Sequence, residues 1–271
     1  MSALPPRLSL GAKLAAIFRV GVASAVAYRG EFFIWILTTN MPLVMIAFWS
    51  RVAAEGAVGR FTSRGFAAYF LGVLLVRFLS GSWVVWELTF EIRQGALSSR
   101  LIRPLHPFLH HAVANLAQIP LRLLVCAPIA VAFALIAGQG GVSHDPVQWA
   151  LLPVCLFGAW ALIFSAMLVV CALSLYYDSA LAIWDVWMAT GYALSGYLVP
   201  FELLPPTLRT AATVLPWRYT LGMPLETMLG LIDRGATLRG LGVQWAWIAL
   251  FLTLALALWS RGLRRYESFG G

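Results

Sequence analysis

The sequence predicts an all-α integral membrane protein with six transmembrane helices. An N-terminal amphipathic helix lies at the interface, and short re-entrant helices fall between crossings five and six. Three observations predict this. Hydrophobic residues make up 61% of the 271 and charged residues 11%, with a mean hydropathy of +0.83, where a soluble domain carries about 25% charged residues. Apolar runs long enough to cross about 30 Å of hydrocarbon recur along the whole length. Those runs are continuously apolar instead of alternating, which selects helices over a barrel. One membrane domain accounts for residues 1–271.

Residues 1–31 read as the amphipathic helix. Ala23-Ser24-Ala25 mimics a signal cleavage site, but Arg19 breaks the apolar region that should precede it. Pro5 and Pro6 suit a helix start. Leu10, Leu14, Ile17, Phe18, Val22 and Ala25 share one face, with Lys13 and Ser24 opposite, as in a helix lying along a membrane surface. Val20 departs from the pattern.

The first crossing runs from Phe32 to Ser50, with Asn40 and Pro42 at its centre, and Arg51–Gly65 connects it to the second. The second spans Phe66 to Trp86 and contains Arg77. The third covers Ala112 to Ala137 and ends in a glycine-rich turn at Gly141. The fourth runs from Trp149 to Tyr176. Tyr177 to Ala180 then allows only a hairpin between antiparallel helices. The fifth runs from Leu181 to Val199 and the sixth from Val243 to Ser260. Between these two, residues 200–240 are half-apolar, and Pro200, Pro205, Pro206, Pro216 and Pro224 cut them into pieces too short to span. Short helices dipping into one leaflet are expected there, with freed backbone buried in protein or facing a water-filled cavity.

The longest polar interruption, 87–107, forms an elbow between crossings two and three. Glu87 and Glu91 are four apart, as are Leu88 and Ile92, so its first half continues as a two-faced helix. Gly95 stops it, since glycine takes the left-handed cap conformation freely. A second short helix begins at Ser98 or Ser99 and ends near Arg103, because Pro104 disfavours helix in its predecessor. Leu97, Leu101 and Leu105 fall on one side of that turn, and Arg100 and Arg103 on another. A short, rigid, two-faced elbow is a docking surface. Arg7, Lys13, Arg19, Arg29, Arg93, Arg100, Arg103, Arg261, Arg264 and Arg265 share its side of the membrane. Arg51, Arg60, Arg64, Arg209, Arg218, Arg234 and Arg239 lie opposite. The excess places the elbow and both termini in the cytoplasm.

Several functions are excluded. Lys13, the lone lysine, sits in GAKL, so the chain has no phosphate-binding GxxxxGK[ST] loop. His106, His110 and His111 cluster without acids or cysteines suited to a metal, and the intramembrane serines have no partnering histidine. Cys126, Cys155 and Cys171 read as small buried hydrophobes. The net charge of +8 is scattered arginine, which suits anionic headgroups and not nucleic acid. Most tryptophans, including Trp83, Trp86 and Trp217, fall near crossing ends and read as an aromatic belt. Trp184, Trp187, Tyr192 and Tyr197 differ, because they line the fifth crossing beside Asp185. An acid among aromatics can hold an organic cation; helix packing is the plainer reading. A central unpaired charge costs about 2.5–3.5 kcal/mol on the insertion scale. Arg77 and Asp185 are therefore expected either to pair with each other or to face a wet cavity separately. Asn40, Arg77, Trp184, Asp185, Trp187 and Tyr192 are the residues that a pathway for substrate would use.

The elbow residues EIRQGALSSRLIRPLHP, 91–107, resemble those of the ATP-binding-cassette type-2 export permeases. The amphipathic helix, the proline-broken segment before the last crossing and the C-terminal RGLRRYESFGG agree with them, so the resemblance covers roughly residues 10–271. It implies the transmembrane subunit of an exporter in the bacterial inner membrane. Such a subunit pairs with a second copy or paralogue and works with cytoplasmic ABC ATPase subunits that bind ATP and Mg, with no cofactor of its own. It implies that Glu91, Arg93, Gly95, Leu97, Arg100, Leu101, Arg103 and Pro104 form the coupling helix, and that the broken segment caps the external exit. An ion-driven carrier is the alternative. It needs intramembrane acids as relays, and only Asp185 lies well inside a crossing.

Overall fold

The computed structural model describes residues 9–27, 30, 41–103, 105–138, 141–264 and 266. Among the described residues the chain is helical, with one short extended bridge between Val58 and Phe61. Leu10–Ala27, Ser63–Arg93, Pro107–Ala137, Pro146–Leu173 and Arg234–Gly262 are long and apolar enough to cross a membrane, and Met41–Val52 is a shorter apolar helix. The protein is an all-α, multi-pass membrane protein.

Helix α1 spans Leu10–Ala27 and α2 spans Met41–Val52. The sequence places α1 at the interface. It is long and apolar enough to cross, buries none of its residues, and packs on the helix that follows the elbow. Asn40 lies outside the described residues.

The second crossing is not continuous. Helix α3, Ser63–Ser80, starts where the Thr62 side chain accepts from the Gly65 amide at 3.2 Å. It stops at Gly81, and the chain resumes as α4, Val84–Arg93. The short α5, Leu97–Leu101, leads to α6, Pro107–Leu116, and α7, Ile119–Ala137. Crossing three therefore begins earlier than hydropathy suggests, because Pro107 suits a first helical position and His106 Nδ1 accepts from the Phe108 amide at 3.2 Å. Freed backbone in a membrane needs partners, and Arg122 of α7 supplies one at the break. Its guanidinium donates to the Gly81 carbonyl and, at 2.9 Å, to Gln118 Oε1.

Helix α8, Pro146–Leu173, is capped by Asp145, whose carboxylate accepts from the Val147 amide at 2.8 Å. It runs through the centre, packing on α3, α4 and the helices that follow. Helix α9 spans only Ala180–Leu194, 15 residues. The fifth crossing stops short of Val199 because Gly196 turns the chain with φ +89°. The Tyr69 hydroxyl donates to the Gly196 carbonyl at 2.8 Å, and a Cβ at Gly196 would lie 2.6 Å from that oxygen. Only glycine fits this turn.

The proline-rich segment folds as a 3₁₀ turn at Phe201–Leu203 followed by α10, Pro206–Val214, α11, Trp217–Thr220, and α12, Gly222–Met228. Every residue of α12 is buried. Arg218 pairs with Glu226 at 2.8 Å and stacks over the Phe201 ring at 4.1 Å, while Arg60 pairs with Glu202. The segment ends sooner than 240. Asp233 caps α13, Arg234–Gly262, a helix of 29 residues. Arg234, Gly235 and Arg239 lower the apparent hydropathy of its first turns, yet Thr237, Gly240 and Gln244 there are buried. Gln244 Nε2 donates to the Tyr219 carbonyl at 2.8 Å and to the Cys155 carbonyl at 3.2 Å, locking α13 to α11 and α8.

Candidate functional site

Two features stand at opposite ends of α4. At its C-terminal end is the elbow. Gly95 has φ +71°, so the helix ends on the left-handed residue that the sequence predicts. The serine cap is absent: α5 starts at Leu97, and Ser99 Oγ donates to the Ala96 carbonyl at 2.8 Å. Leu97 is fully buried in the core formed by α4, α8 and α9. Leu101, Ile102 and Arg103 are exposed, with Ile102 at 87%, and Pro104 lies outside the described residues.

Charged side chains brace this elbow. Arg100 donates through Nε to Glu91 Oε2 at 2.7 Å and through Nη2 to Oε1, a bidentate contact. His111 lies between Glu87 and Glu91, with ring nitrogens 3.4 Å from each carboxylate. Arg93 donates to the Asp178 carbonyl, joining α4 to the hairpin turn between α8 and α9.

At the other end of α4 is a cavity of about 120 Å³, walled by α3, α4, α8, α9 and the Trp217–Leu221 stretch. Trp83 and Trp86 have ring centroids 5.3 Å apart, and Trp86 meets Trp184 edge-on at 6.4 Å. Trp184 stacks on Trp187 at 5.9 Å, and Trp187 meets Trp217 at 4.9 Å. The Trp217 indole donates to the Trp187 carbonyl at 3.1 Å, tying the broken segment to α9. Arg77 also lines this space. Its guanidinium carbon lies 4.8 Å from the Tyr197 ring and 5.7 Å from the Tyr192 ring, which stack on each other at 4.8 Å.

Four of the residues singled out for a pathway, Arg77, Trp184, Trp187 and Tyr192, thus line one cavity. Asp185 does not. It is exposed on α9, outside the wall, and makes no ion pair with Arg77, so the expected pairing fails and stacking on two tyrosines takes its place. The reason is angular. On a helix, neighbours in sequence point about 100° apart, and burial of Trp184 turns Asp185 outward. Trp83, Trp86 and Trp217 leave the aromatic belt for the cavity wall. The available signal was the i, i+3 spacing of Trp184/Trp187, which sets that pair on one helix face, whereas Trp83 precedes α4 and only the break brings it beside Trp86. Arg122 was missed although its charge inside the third crossing was the same signal that singled out Arg77.

A family model described as ABC-2 family transporter protein matches residues 40–270. The chain belongs to the ABC-2 transporter family. A search of curated proteins found no match. As an ABC-2 family permease, the chain is a membrane transport component and not a catalytic domain. The matched residues take in the elbow, the cavity and the broken segment, and leave α1 outside.

Proposed function

We propose that this permease is the transmembrane subunit of an ATP-driven exporter in a bacterial cytoplasmic membrane. It pairs with a second copy or a paralogue and moves substrate outward. The elbow, 87–107, docks on a cytoplasmic ABC ATPase that holds ATP and Mg, both termini lie on that side, and the segment 200–233 caps the outer exit.

The observation that carries the reading is the span of α4, which holds cavity tryptophans at one end and the elbow at the other. From Trp86 to Arg93 is about 10 Å of rigid helix at 1.5 Å per residue. Force applied to the elbow therefore reaches the cavity wall through one element. Glu91 and Arg100 stiffen the elbow from within, and Leu101, Ile102 and Arg103 offer an exposed apolar and basic tip to the ATPase. Ile102→Asp alters that tip without touching the brace. It is expected to abolish copurification of the ATPase while the permease stays folded. Undiminished copurification together with undiminished transport would sink the reading.

A further inference from the structure

The charge of the aromatic cavity is one-sided. Its wall contains one formal charge, Arg77, and no aspartate or glutamate. Among the described residues Arg77 has no acidic partner, and its Nε is buried without a hydrogen-bond acceptor. Trp184, 1% exposed, has an indole Nε1 in the same condition. Both orphans are donors and cannot accept. The wall carries the hydroxyls of Ser80, Ser82, Ser195 and Thr220, but none of them makes a hydrogen bond to either donor. Stacking on Tyr192 and Tyr197 offsets part of the burial of the guanidinium, but ring faces leave its N–H edges unmet. An unanswered buried donor is unfavourable, and an uncompensated cation in apolar surroundings more so. The bulky remainder of the wall is tryptophan, methionine, isoleucine and leucine.

We propose that this cavity takes an amphipathic organic anion. Its carboxylate, sulfonate or phosphate oxygens meet the Arg77 fork and the Trp184 indole, and its flat or aliphatic body lies among the tryptophans. This rests on the reading of the cavity as part of the transport pathway, and it reverses the charge that Asp185 suggests from sequence. The guanidinium fork matches an oxyanion in two-point contact, and the indole adds a third donor. Such an anion can arrive as a soluble aromatic acid or sideways from the membrane as an anionic phospholipid.

The test uses the full-length permease alone, in phosphatidylcholine nanodiscs, titrated with anthracene-9-carboxylate and with the matched cation (anthracen-9-ylmethyl)trimethylammonium. Probe anisotropy is read after subtraction of empty discs. The anion is expected to saturate and to bind more tightly than the cation by about tenfold or more, the scale of one charge-assisted hydrogen bond. Arg77→Gln is expected to remove that preference, and Arg77→Lys to retain it. Competition by phosphatidylglycerol placed in the discs identifies a lipid headgroup as the source, and lack of competition identifies a soluble acid. Equal affinity for the two probes, preference for the cation, or no saturable binding in the unmutated protein overturns the proposal without any variant having to fold. Because no ATPase is present, such a failure leaves the exporter reading standing; that reading falls only by the elbow test.

Discussion

At the scale of single residues, close polar contacts mark where two of the helices stop. The Tyr69 hydroxyl and the Gly196 carbonyl fix where α9 stops, and Arg122 answers the carbonyl released at Gly81. Gly196→Ala places a side chain at φ +89° and against the Tyr69 oxygen, which is expected to destabilise by about 1–3 kcal/mol. Tyr69→Phe removes the crowding oxygen along with its hydrogen bond. The double variant should therefore lose less than the sum of the single losses, measured as thermal midpoints in detergent. Strictly additive losses would show that the hydroxyl does not set this turn. Gly95 was legible in the sequence because a glycine after an amphipathic run has one common use. Gly196 was not, since its partner lies 127 residues away and no local pattern announces it.

Single elements show the same division. The elbow was legible as a polar interruption, but the start of α5 was not, because a helix of five residues carries no periodicity to read. The break in crossing two was hidden for another reason. Residues 78–86 stay apolar on average while their backbone departs from helix at Gly81–Trp83. Rigidity of the elbow now has a specific test. Arg93 reaches the backbone of Asp178 and not its carboxylate, so Asp178→Ala should behave like the unmutated protein. Arg93→Ala should free the 174–179 turn, read as faster limited proteolysis there, with a stability loss of about 1 kcal/mol or less for so exposed a contact. Equal proteolysis of the two variants would remove Arg93 from the linkage between elbow and hairpin.

For the whole molecule, hydropathy finds the spans but not their neighbours. Helices α7 and α8 are both continuously apolar, yet α8 is largely buried in the protein and α7 largely exposed. Lipid tails and core leucines are equally apolar, so composition cannot separate the two environments. The four cavity residues were legible because polar and aromatic groups inside a span have few plain uses, whereas Trp217 comes from a distant segment that only the fold brings in. Orientation is tested by thiol labelling after Cys126, Cys155 and Cys171, all buried, are replaced. Ser99→Cys should stay unlabelled by an impermeant reagent in intact cells, and Thr207→Cys, on exposed α10, should react. Labelling at 99 from outside would invert the molecule and detach the elbow from any cytoplasmic partner.

The early stop of α9 has a consequence for the surrounding lipid. Fifteen residues rise about 22 Å, against about 30 Å of hydrocarbon in an ordinary bilayer. Beside this helix the bilayer thins, or the buried non-helical residues 195–197 that follow it take up part of the missing depth. Each adjustment costs a fraction of a kcal/mol per ångström of mismatch, and a thinner membrane reduces it. Transport reconstituted in short-chain phosphatidylcholine should therefore outpace transport in long-chain phosphatidylcholine, with the optimum moving to longer chains when α9 is lengthened by one turn.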